Sequence, residues 1–350
     1  KIEVASPGFI NFYLSKDFFI DNLQQILKEK DKFGKNSSAS LRAGQKVIVE
    51  YTDPNILKEF HIGHLMSNAI GESIARITEF QGAKVKKLCY QGDVGLHVAK
   101  AIFGKINNSD YSWQQAYVFG SEKYEKNESS KREIIELNKK IFEKSDKGIN
   151  KLYNDGRKWS LKNFDRIYKK LGTKFDYLFF ESETAGFGKQ IIEEGLKKGI
   201  FEKGEKGAIV FKGEKHGLHT RVFINSEGLP TYEAKELGLA KIKYDKYKYD
   251  NSVIVTANEQ NEYFRVVLTA IKQIFPDLAE KTKHIGHGML RLPTGKMSSR
   301  TGKVVTFEFL LNEVEKLVKE KIKDRDFSEK EKEEISEKIA IGALKYSILK

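Results

Sequence analysis

The sequence predicts an α/β fold: a parallel sheet split by a largely helical insertion and followed by the start of a helical bundle. Three observations carry this. "KVIVEYT" (46–52) and the run Val253 to Thr256 are short and β-branched, and each is followed by apolar residues at helical spacing. "AKVKKLCYQGD" then returns as a strand, closing the strand, helix, strand unit from which parallel sheets are built. From about 101 to 203 the text changes to charged helical segments such as "SSKREIIELNKKIFEK" and "GRKWSLKNFDRIYKKLG", which interrupt the strand pattern.

Taken in order, residues 1 to 15 mix apolar residues with Pro7 and Gly8 and read as a short extended piece with a turn. A helix is expected from Asp17 to Lys30, with Phe18, Leu23, Ile26 and Leu27 on one face. "DKFGKNSSAS" is a linker by composition, so the compact part starts near Leu41. After the first strand and the loop "DPNILKEF", Leu65, Ala69, Ile70, Ile74, Ile77 and Phe80 define a helix face that Gly82 stops. Beyond the insertion, "GAIVFKG" and "HTRVFINSEGLPTYEA" give strand and turn signals. The sheet resumes at Val253, with Phe264, Val267, Leu268 and Ile271 on the helix after it. This alternation is Rossmann-like, the architecture of a parallel nucleotide-binding sheet. In "EKEEISEKIAIGALKYSILK" a helical stripe of Ile335, Ile339, Ala343 and Tyr346 runs to Lys350 with no stop signal. Together with a start at Lys1 rather than Met, it implies that part of the protein is missing.

With 350 residues and 39% hydrophobic content the chain has enough apolar side chains for a sizeable core. Its single cysteine, Cys89, excludes an intramolecular disulfide. No run approaches the roughly 18 apolar residues of a membrane span, so a cytoplasmic location with no membrane partner is expected. The formal charge of +13 favours a polyanionic partner, although Lys far outnumbers Arg, as a general Lys-rich composition would also give. No Cys or His cluster has metal-ligand spacing.

The tetrapeptide HIGH occurs twice. The first copy, His61 to His64, lies at a strand-to-helix junction, so His61, Gly63 and His64 fall at a helix N-terminus, where free N–H groups favour phosphate. A Cβ at Gly63 would obstruct an approaching nucleotide, and two imidazoles could hydrogen-bond a phosphate in its transition state. The alternative is a helix-capping pair with no ligand. The second copy, His284 to His287, precedes "GMLRLP" and reads as a structural strand entering a loop. That loop, "GKMSSRTGKVV", offers Lys296, Ser298, Ser299, Arg300 and Lys303 for closure over a polyphosphate, unless it is merely a solvated basic loop.

HxGH after the first strand and a KMSKS-like loop after the last resemble the class I aminoacyl-tRNA synthetases. The blocks "VEYTDPNILKEFHIGHLMSNAIGESIARITEFQGAKV", "YQGDVGLHVAK", "FDYLFFESE", "GLPTYEAKELGLA" and "VTANEQNEYFRVVL" are similar, in order, to the arginyl-tRNA synthetase family over about 41 to 310. "VASPGFINFYLS" resembles the end of that family's N-terminal domain. The resemblance implies a remnant of that domain plus linker over 1–40, and a catalytic domain over 41–320 with the insertion at about 101–203. It also implies the start of a truncated helical anticodon-binding domain over 321–350.

What the resemblance implies for individual residues is specific. His61, Gly63, His64, Lys296, Met297, Ser298 and Ser299 would hold ATP, with Lys296 and Arg300 as the loop's cations. Glu50 and Asn55 would take the α-amino and α-carboxylate groups of L-arginine. Tyr232 and Glu236, four apart on one helix face, would bind the guanidinium with Gln260 nearby; the family more often has Asp at the Glu236 position. Ser299 stands where the class pattern has a lysine, and Lys58, just before the first HIGH, would serve the phosphates instead. The implied activity is arginine–tRNA ligation with ATP, Mg²⁺ accompanying the ATP, and tRNA(Arg) as acceptor, by a monomer. Two rivals stay open: another HxGH nucleotidyltransferase, which should not need the tyrosine and carboxylate pair, and a non-catalytic tRNA-binding paralogue.

Overall fold

The computed structural model describes residues 1–35, 44–289 and 304–350. The chain opens with an antiparallel hairpin, β1 (Ile2–Ala5) and β2 (Phe9–Phe12), and helix α1 (Lys16–Glu29). Then come β3 (Lys46–Tyr51), α2 (Ile62–Phe80) and β4 (Lys84–Gln91). Four helices follow: α3 (Leu96–Asn107), α4 (Trp113–Lys126), α5 (Glu128–Glu143) and α6 (Lys147–Leu171). Next are β5 (Tyr177–Phe180), α7 (Glu181–Lys197), the short strands β6 (Glu202–Lys203), β7 (Ile209–Phe211) and β8 (Arg221–Ile224), and α8 (Tyr232–Lys246). The series ends with β9 (Asn251–Ala257), α9 (Asn261–Ile274), α10 (Pro276–Lys281), β10 (Thr282–His287), α11 (Phe307–Ile322) and α12 (Glu329–Leu349).

Five strands form one sheet in the order β10-β9-β3-β4-β5, every pairing parallel. The chain builds outward from β3 through β4 to β5, then returns to the other side of β3 for β9 and β10. The order therefore reverses between β3 and β9, and the carboxyl ends of these two strands are where the ligand crevice of an open α/β sheet lies. β3 is buried on both faces from Val47 onward, which is why Val47, Ile48 and Val49 follow one another without alternation and why Glu50 after them is buried too. Val47, Val49 and Tyr51 pack with Ala75 of α2, whereas Ile48 packs with Leu88, Tyr90, Phe179 and Leu239 on the opposite side.

The structure alters three readings. β5 lies inside the stretch assigned to the insertion, 101–203, yet pairs with β4 as a sheet edge. The purely helical excursion is α3 to α6, whose core of Ile102, Tyr117, Ile134, Phe164 and Ile167 joins Phe60, Leu65 and Phe307. On α12 the buried positions are Ser336 and Ala340, with Ile341 and Leu344 packed beside them, while Ile339 and Tyr346 face outward. The predicted stripe is thus rotated by about one residue, because the helix packs by its small residues. At the end of α2, Ile77 and Phe80 are exposed, so its buried face ends before the last turn.

Candidate active site

The segment after β3 leaves the sheet in an unusual backbone path. Thr52, Asp53 and Leu57 have φ of 83°, 42° and 62°, a left-handed region that costs a non-glycine residue on the order of 1–3 kcal/mol. Surrounding groups hold it there. Asn68 of α2 donates to Thr52 Oγ1 at 3.0 Å and accepts from Thr173 Oγ1 at 2.9 Å. The Tyr90 N–H donates to Asp53 Oδ1 at 2.7 Å, and the Leu57 N–H to Ser160 Oγ at 2.9 Å. This path delivers Asn55, Lys58 and His61 to the carboxyl edge of the sheet.

His61 is the N-cap of α2 and its ring lies on that of His64, centroids 3.8 Å apart at 18°. The Gly63 N–H donates to His61 Nδ1 at 3.1 Å, and the His61 N–H donates to His64 Nδ1 at 3.2 Å. Both Nδ1 atoms are therefore acceptors, and these two bonds assign the proton of each neutral ring to Nε2. Burial, reinforced by the nearby Lys58 charge, lowers the His61 pKa to about 4. Burial, the neighbouring His61 and Lys58 hold His64 well below the usual imidazole range. At neutral pH the pair is uncharged and presents two Nε2–H donors. Capping and ligand recognition, set against each other by the sequence, are compatible here, since capping fixes the tautomer that can donate. Glycine at position 63 has a reason within the chain as well: a Cβ there would meet the His61 ring at 3.0 Å.

On the other side of β3 the side chains are acidic. Glu50, fully buried, accepts from Lys243 Nζ at 2.8 Å, and buried Glu181 is paired with Lys235. The predicted arginine ligand Glu50 is thus held by an internal lysine. Glu236, half-buried on the first turns of α8, has no hydrogen bond or ion pair among the described residues. Burial raises its pKa well above the ordinary carboxylate value, and the charges of Glu50, Asp53 and Glu181 raise it further against the pull of Lys243. Asp53 is raised likewise, first by burial and then by Glu50. Tyr232 is half-exposed, with Lys235 Nζ 4.3 Å from its ring centroid. Asn55 bridges to Gly92 at the end of β4, so closely that a Cβ on Gly92 would lie 2.1 Å from Asn55 Oδ1. Gln260 stands at the start of α9 just beyond β9, on the same edge of the sheet.

Asp53, Glu181 and Lys243 were not singled out in the sequence. The first two lie in blocks that carried the resemblance, but no periodicity marks them as site residues. Lys58 is half-buried, with no carboxylate partner among the described residues. Lys296, Met297, Ser298, Ser299 and Arg300 lie outside the described residues. The segment following them is pinned to α2: the Ile62 N–H donates to the Val305 carbonyl at 3.0 Å, and the Phe307 N–H to the Phe60 carbonyl at 2.9 Å. The second HIGH copy is the end of β10. His284 stacks on Phe264 and lies 2.7 Å from Thr256 Oγ1, and buried His287 lies 2.8 Å from Ser67 Oγ of α2. These are internal bonds that hold the sheet edge.

The structure thus brings a neutral histidine pair at a helix N-terminus and a group of buried carboxyls to the carboxyl edge of one sheet. Residues 22–350 match the family described as tRNA synthetases class I (R), catalytic domain.

The chain belongs to this family.

Its relatives include the arginine–tRNA ligase of Treponema denticola, 33% identical over 99% of the chain, and that of Clostridium botulinum, 31% identical over 100%. The chain spans 61% and 63% of the length of these two class I synthetases. The arginyl-tRNA synthetases of Plasmodium falciparum and Thermus thermophilus share the fold, with TM-scores of 0.67 and 0.61 at 20% and 23% identity. Each alignment covers 99% of this chain, and 60% and 64% of those class I structures.

Proposed function

We propose that this chain carries out arginine–tRNA ligation, activating L-arginine with ATP and passing it to tRNA(Arg). The observation that supports this most is a surplus of carboxyl groups among β3, the loop after it, the start of α7 and α8. Glu50, Asp53, Glu181 and Glu236 act on one another, whereas two buried ammonium groups, Lys243 and Lys235, are spent on Glu50 and Glu181. Two carboxyls are left over, and free arginine brings two cationic groups, its guanidinium and its α-ammonium. Glu236 with Tyr232 is the proposed guanidinium seat, since a planar guanidinium binds a carboxylate through two parallel N–H bonds.

The mechanism follows from what each group can do. The Nε2–H groups of His61 and His64 donate to the α-phosphate as its oxygens gain charge, a stabilisation strongest in the transition state. Lys58 adds positive charge at the same place. The arginine carboxylate oxygen bonds to the α-phosphorus, the bond to the bridging oxygen breaks, and pyrophosphate leaves with that electron pair. The 2′-hydroxyl of the terminal tRNA adenosine then bonds to the acyl carbon and AMP departs. Mg²⁺ would accompany the ATP phosphates and neutralise part of their charge; among the described residues no group of three or more His, Cys, Asp or Glu is placed to hold an ion. The reading makes the protein a cytoplasmic monomer; no helix among the described residues is long and apolar enough to cross a membrane.

Pyrophosphate exchange into ATP, run with each of the twenty amino acids with and without tRNA, tests the proposal. Exchange that depends on arginine and rises with tRNA is expected. Exchange with a different amino acid would move the pocket, and nucleotidyl transfer without any amino acid would favour the rival nucleotidyltransferase.

A further inference from the structure

The ammonium group of Lys58 lies over the ring of Tyr117, 4.8 Å from its centroid, and also interacts with the Tyr117 hydroxyl. Tyr117 sits on α4, in the helical excursion, and is buried in the core shared with Phe60 and Leu65. Lys58 has no carboxylate within ion-pair distance among the described residues, yet its charge reaches His61, His64, His97 and Glu181. A lysine so placed has a flexible four-carbon stem and no ion pair to aim it. An aromatic face supplies aim without neutralising the charge, because the ring quadrupole attracts a cation and adds no negative charge of its own. The same excursion grips the neighbouring backbone: Gln114 Oε1 accepts from the Glu59 N–H at 3.3 Å and Ser160 Oγ from the Leu57 N–H. Three side chains of α4 and α6 thus hold residues 57 to 59, where Leu57 has φ of 62°.

We propose that Tyr117 is the positioning residue for Lys58, its ring holding the ammonium out of ion-pair contact with any described carboxylate and directed at the phosphates beside His61 and His64. The inference rests on the arginine-activation reading above. It gives the helical excursion a part in the chemistry through a contact with a cation rather than with substrate.

The test is single-turnover arginyl-adenylate formation by the complete polypeptide with Mg-ATP and tRNA(Arg), in a double-mutant cycle of Tyr117→Leu and Lys58→Ala. Tyr117→Leu should lower the rate about 10-fold, the scale of a partly desolvated cation–π contact, with the arginine KM unchanged. In the Lys58→Ala background it should change nothing further. Tyr117→Phe removes only the hydroxyl contact and should keep most of the rate; a loss as large as that of Tyr117→Leu would assign the aim to the hydroxyl and overturn the role of the ring. Replacing Tyr117 by fluorinated phenylalanines of nearly the same shape, which weakens the quadrupole while sparing packing, should lower the rate with each added fluorine. Equal losses in both backgrounds, a raised arginine KM, or rates indifferent to fluorination would overturn the positioning role. Absence of arginine-dependent exchange in the unmutated protein would instead overturn the reading beneath it.

Discussion

A histidine whose Nδ1 caps a helix has one proton left to offer, on Nε2, and only while the ring stays neutral. His61 meets that condition because its pKa falls to about 4 from an ordinary 6.5. Between those values the unfolded chain binds a proton that the folded chain refuses, so stability rises with pH through this window and is lost as pH falls toward 4. The denaturant midpoint of the unmutated protein should therefore drop from pH 7 to pH 5, and His61→Gln should shrink that drop. An identical drop in both proteins would show that His61 is not held neutral. Glu236 has the opposite sign: its raised pKa means that folding loses stability as pH climbs past the ordinary carboxylate value. Glu236→Gln should raise the melting temperature of the ligand-free protein at pH 7 yet weaken arginine binding by about 2–5 kcal/mol, as when one partner of a buried charge pair is removed. Calorimetry and thermal melting read the two effects separately; a destabilised variant with normal arginine affinity contradicts the assignment. His61, Gly63 and His64 were legible as a motif because three uncommon residues recur within four positions. Asp53 and Lys243 were not, since a carboxylate's neighbours across 190 residues of sequence are set by the sheet order, which only the fold reveals.

At the scale of elements, α2 lies unusually close to β3, and Gly71 makes that possible. A Cβ at Gly71 would come within 2.3 Å of the Tyr51 side chain, itself fully buried and bonded to Glu72 through its hydroxyl. Gly71→Ala should therefore destabilise the fold by about 1–3 kcal/mol in urea unfolding, although alanine is the better helix former. A stabilised variant would mean that the helix and strand separate without strain. Most elements could be read from hydrophobic period: β3, α2, β4, β9 and α9 each fall within a few residues of expectation. β5 could not. Its four residues, YLFF, are too few to show a period, and the charged helices before it and α7 after it mask the return to the sheet. The rotated face of α12 has a similar cause, because its closest contacts are the small residues Ser336 and Ala340, which carry no apolar signal, and Ile339 and Tyr346 fall outside the contact.

Across the whole molecule, one tetrapeptide appears in two settings, and position in the sheet gives each copy different partners. His61 to His64 follow β3, beside the strand-order reversal, where a helix N-terminus opens onto the crevice. His284 to His287 form an edge strand whose imidazoles are used on Thr256 and Ser67. The architecture was legible from the alternation of strands and helices, and which copy faces the crevice followed from the strand-to-helix junction. The acidic side of the crevice came into view only with the fold. Single-turnover adenylate formation with arginine, Mg-ATP and tRNA(Arg), measured in His64→Ala and His287→Ala beside their urea stabilities, tests the central claim. His64→Ala should lose on the order of 10²-fold or more in rate, the loss seen when a transition-state donor is removed. His287→Ala should lose about 1–3 kcal/mol of stability, from the hydrogen bond to Ser67, and keep nearly its full rate. A His287→Ala protein that folds normally but forms no adenylate, next to a His64→Ala protein that forms it at the normal rate, would place the chemistry at the other copy.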